Sequence, residues 1–149
     1  MLKKIKNMVL GAKSYAETAE SPEERQQLAL AALLVEMARA DFDDTEEEHH
    51  LISKLLAKHF ELSDSEAVEL LHRAGSSVTN AVSLFDFTRA LHESLDAEQK
   101  QQVIRLLWQV ANADKQLDKY EDYLVRKVAD LLYVSHSDVV RIKHEVLAS

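Results

Sequence analysis

No cysteine occurs anywhere in the 149 residues, so neither a disulfide nor a thiolate metal site can be built, and the chain suits a reducing compartment. Glycine occurs twice and proline once. That leaves few places for hairpin turns in a chain rich in Leu, Ala, Glu, Lys and Gln, and the fold class expected is all-α. A basic excess is missing too. The net charge is −8, which argues against nucleic acid, because a binder needs a basic face to release counterions from phosphates. Long apolar runs are absent: the best, Leu28 to Ala38, is interrupted by Glu36 and falls well short of the roughly 20 residues of a membrane span. Near the N-terminus, Met8 to Ala12 is too short for a secretory signal. A cytoplasmic protein without a transmembrane segment is expected.

What the chain does have is length for one domain over 1–149 and a set of helix starts that can be read from capping boxes. Ser21-Pro22-Glu23-Glu24 is one, with proline where a missing amide costs nothing. Thr45 to Glu48, Ser63 to Glu66 and Asp96 to Gln99 are others, and Asp118 to Glu121 and Ser135 to Asp138 are variants. They predict a compact bundle of about eight short helices, near 2–17, 22–40, 46–60, 64–74, 79–94, 97–112, 119–132 and 136–147. Leu28 to Ala38 and Val103 to Ala111 are apolar almost all round, which a helix tolerates only when other helices surround it. Trp108, Phe85 and Phe87 are expected in the core.

Each of those two apolar helices ends in Ala-Asp and leads into an acidic helix-loop-helix element. LLVEMARADFDDTEEEHHLISKLLA lies without gaps over LLWQVANADKQLDKYEDYLVRKVAD, pairing Asp41 with Asp114, Glu48 with Glu121, Leu51 with Leu124 and Ile52 with Val125. After a one-residue deletion the correspondence continues from Ser63-Asp64-Ser65-Glu66 to Ser135-His136-Ser137-Asp138. The pattern reads as an internal duplication with a pseudo-twofold axis. Repeat one would run over about 22–74, repeat two over about 96–147, with a linking helix at about 75–95 and an N-terminal helix within 1–20.

The doubled Ala-Asp with a capping residue at +4 and Glu at +7, together with LFDFTRALHESLDAEQKQQVIRLLWQVANAD, resembles the TerB-like tellurite-resistance family over roughly residues 25 to 147. The resemblance implies an all-helical cytoplasmic domain with a divalent-metal site built from paired acidic residues, and a role in stress response or protein assembly near the membrane. Carried over residue by residue, the ligands are Asp41 and Glu48 in the first half and Asp114 and Glu121 in the second. Two positions depart from the family pattern. The usual Gly after the motif Asp is Phe42 here and Lys115 in the second copy, and the aliphatic residue at +3 is Leu117 in one copy but Asp44 in the other.

Several readings of these acids compete. Thr45 with Glu48, and Asp118 with Glu121, suffice as capping pairs without any ion. Asp41 and Asp114 are not needed for a cap, yet both stand at a helix C-terminus, where the dipole disfavours a carboxylate and a Ca²⁺ or Mg²⁺ would offset the repulsion. Zn²⁺ or Mn²⁺ are the alternatives, with His49 and His50 suited to assist a softer ion. An EF-hand is excluded: counted from Asp41, the sixth position is Glu46 instead of Gly and the twelfth is Ile52 instead of Glu, while the Asp114 copy has Val125 at the twelfth.

An enzymatic reading rests on Glu46-x-x-His49, Glu47-x-x-His50 and Glu69-x-x-His72, the spacing of di-iron carboxylate bundles. No nucleophile-base constellation or phosphate loop accompanies them. The expectation is a non-catalytic module with a protein partner. Finally, residues 1–13 carry Lys3, Lys4, Lys6 and Lys13 and no acid, which leaves −12 on the remainder, and Leu2, Ile5, Met8, Val9 and Ala12 form one helical stripe. Packing against the acidic remainder is expected of this segment, with peripheral membrane contact through residues 1–17 as the alternative.

Overall fold

A computed structural model of the protein describes residues 21–39, 46–79, 84–113 and 119–148. Within them the chain is all-α, in seven helices: α1 (Pro22–Arg39), α2 (Glu46–Phe60), α3 (Asp64–Thr79), α4 (Leu84–Ser94), α5 (Ala97–Ala111), α6 (Lys119–Leu131) and α7 (His136–Ala148). The helix expected near 2–17 lies outside the described residues.

Local chemistry sets the helix starts. Asp96 accepts from the Gln99 amide at 2.8 Å while the Gln99 side chain accepts from the Asp96 amide at 3.0 Å, closing a full capping box on α5. Ser63 and Glu66 do the same for α3, with Glu66 Oε1 accepting from the Ser63 amide at 2.9 Å. Ser21 and Ser135 cap α1 and α7 through their hydroxyls, accepting from Glu24 and Asp138 amides. At the other end, α2 and α6 stop alike. Leu62 donates to the Ala57 carbonyl and Val134 to that of Ala129, both at 2.9 Å, across a left-handed residue, Glu61 (φ 55°) and Tyr133 (φ 59°) respectively.

Two expected boundaries differ. The helix expected over 64–74 continues through Gly75 to Thr79, and the next, expected from 79, is described from Leu84. A lone glycine weakens a helix by about 1 kcal/mol relative to alanine but does not end it unless the chain must take positive φ, and Gly75 does not.

The two apolar helices are central. On α1, every residue from Leu28 to Ala38 is buried except Glu36; on α5, Val103, Ile104, Leu106, Leu107, Trp108, Val110 and Ala111 are buried. α1 packs against α2, α3, α4 and α5, while α5 packs against α1, α2, α6 and α7. Trp108 is 1% exposed and donates from Nε1 to the Val139 carbonyl at 3.2 Å, tying α5 to α7. Phe87 is core, as expected. Phe85 is not: it is 64% exposed, because residues two apart on a helix do not share a face.

Candidate functional site

Of the four proposed ligands, Asp41 and Asp114 lie outside the described residues. Glu48 and Glu121 lie within them, each the third residue of its helix, α2 and α6. Both are buried, Glu48 at 7% and Glu121 at 2% exposure, and Oε2 of Glu48 is itself closed off from solvent. Each heads a buried stripe: Glu48 precedes Ile52 and Leu56 at four-residue steps, and Glu121 precedes Val125 and Ala129.

Capping by itself does not require that burial. Glu66 and Gln99 hold the same third position on α3 and α5, complete their capping boxes, and are exposed. A carboxylate taken out of water needs compensation by hydrogen bonds or a cation, so the two buried glutamates differ in kind from the exposed pair.

The neighbours sharpen the picture. Asp122, next to Glu121, faces away into an ion-pair cluster, accepting from Arg126 Nε at 2.7 Å and Lys143 Nζ at 3.0 Å. Partial burial pushes the Asp122 carboxyl up, but these hydrogen bonds and charges outweigh it and hold the group below the usual carboxylate range. Lys143 also stands 5.1 Å over the Trp108 ring. Asp122 is thereby committed to joining α6 and α7. Glu46, Glu47, His49, His50, Glu69 and His72 are all exposed. A di-iron carboxylate site projects its Glu-x-x-His pairs into a bundle, so these three pairs do not form one. Among the described residues no group of three or more His, Asp or Glu side chains is gathered in a way that could hold a metal ion. A complete ligand set would have to draw on acids outside the described residues, where Asp41 and Asp114 lie.

Among the described residues no helix is long and apolar enough to cross a membrane. Against known families, the model for Tellurite resistance protein TerB matches residues 27–144, most of the chain. No curated protein and no solved structure matches it.

Proposed function

This chain belongs to the TerB tellurite-resistance family, and on that premise we propose that it is a non-catalytic divalent-cation-binding domain of the cytoplasm that acts through protein contacts, in a stress-related role. The ligands would be Asp41, Glu48, Asp114 and Glu121. What carries the reading is the burial of Glu48 and Glu121 at one helical position, in contrast to the exposed Glu66 and Gln99. A capping box occupies one carboxylate oxygen, as Glu66 Oε1 illustrates, and a carboxylate has a second that a hard cation can engage. The proposed donors are all oxygens, which suits Ca²⁺ or Mg²⁺ better than Zn²⁺, with Mn²⁺ the alternative that shares their preference for oxygen. Such an ion would tie the end of each central helix to the start of the next, fixing the surface the domain offers a protein partner.

The same reading includes the internal duplication. α1, α2 and α3 pack pairwise on one another, and α5, α6 and α7 repeat those three packings, with the α1–α5 contact between the two sets. The paired left-handed residues Glu61 and Tyr133 support it further.

The test is the ion content of the purified protein and its thermal shift with Ca²⁺, Mg²⁺, Mn²⁺ and Zn²⁺. An ion that binds only the folded state, at 100 times its Kd, adds about 2.7 kcal/mol of stability. A melting temperature that no cation moves would overturn the metal reading and leave Glu48 and Glu121 as buried caps.

A further inference from the structure

Glu36 interrupts the buried run of α1 and opens into a groove of about 210 Å³ between α1, α4 and α6. The floor of the groove is Leu84, Phe87 and Leu124, and Tyr120 and Tyr123 form its rim. The two rings lie 6.4 Å apart and are about half exposed, at 53% and 57%. Glu36 is partly buried there and forms no ion pair among the described residues; Lys127 lines the outer wall but does not pair with it. A carboxylate half withdrawn from water among apolar and aromatic groups suits a cation that arrives with an apolar body of its own.

We infer that this groove is the docking site of the chain's own lysine-rich segment, residues 1–17. That segment combines what the groove asks for: an apolar stripe of Leu2, Ile5, Met8, Val9 and Ala12, flanked by lysines and free of acids up to Lys13. Reach agrees. Glu36 lies roughly 21 Å along α1 from Pro22 at 1.5 Å per residue, and a helix over 2–17 folding back from Ser21 would be about 24 Å long. Charge agrees as well, because residues 1–13, at +4, meet a remainder of −12 at the one acid of the α1 buried run. The docked segment would cover Tyr120 and Tyr123 and place an ammonium against Glu36. None of this depends on a bound ion.

The absence of cysteine makes the test clean. A nitroxide on Asn7→Cys, which lies off the apolar stripe, should broaden the NMR signals of Leu84, Tyr120, Tyr123 and Lys127 in the intact full-length chain. Glu36→Gln should weaken that broadening, and so should high salt. Adding anionic vesicles should leave it in place. Broadening that appears on unlabelled chains in a labelled–unlabelled mixture would assign the groove to a second copy and overturn the proposal. Signals broadened elsewhere, nowhere, or lost from the groove in favour of vesicles would overturn it too.

Discussion

Glu48, Glu121, Glu66 and Gln99 stand at one helical position with two fates, and the difference lies in what covers them. For Asp41 and Asp114, which no cap requires, Asp41→Asn combined with Asp114→Asn is expected to abolish any cation-dependent rise in melting temperature. The apo protein should be unchanged or slightly more stable, since each substitution removes a negative charge two or three residues after the last residue of α1 or α5 in sequence, Arg39 or Ala111. An unaltered cation response would remove these residues from the site. Gly75 offers a simpler case. A Cβ there meets nothing within 4 Å and the residue is helical, so Gly75→Ala should raise stability by about 0.5–1 kcal/mol in a denaturant titration. A loss instead would show that α3 does not continue through this position.

At the level of elements, the helix ends and the ion pairs between helices carry most of the specific polar chemistry. Glu61 is left-handed at the end of α2, which costs an L-residue about 1–2 kcal/mol. Glu61→Gly should therefore stabilise the fold by about 0.5–1 kcal/mol after the added freedom of the unfolded chain is subtracted. Tyr133 is the poorer test, because its ring packs 4.9 Å from His92. Asp122 links α6 to α7 through Lys143 and pairs with Arg126 within α6, and its carboxyl sits below its ordinary value. Its contribution is therefore present above the unfolded carboxylate pKa and is lost as pH falls through the folded one. Asp122→Asn should lower stability at neutral pH and make the acid limb of the pH–stability curve shallower. An acid limb identical to that of the parent protein would mean the cluster adds nothing.

For the whole molecule, the N-terminal segment carries the apolar stripe and the four lysines of residues 1–13. Deleting residues 1–17 should lower stability by several kcal/mol if its apolar stripe is covered, at about 25 cal/mol per Å² of apolar surface, and the intact protein should ignore lipid. Salt-sensitive binding to anionic vesicles, with an unchanged melting temperature after truncation, would establish an interfacial anchor instead.

Composition and pattern determined the all-α class, the two buried helices and most helix starts, because capping and amphipathic periodicity act within a few residues of the chain. They also determined the positions of Glu48 and Glu121, through the doubled Ala-Asp motif. They did not determine that these two are buried. Glu66 precedes buried Leu70, and Gln99 precedes buried Val103, by the same four-residue step, yet both remain in water. The helical period does separate Phe87, three residues after Leu84 and four before Leu91, from Phe85, but local sequence did not continue α3 beyond Gly75. Burial depends on which surfaces of distant helices meet, and only the packing of α1 and α5 against their neighbours settles that.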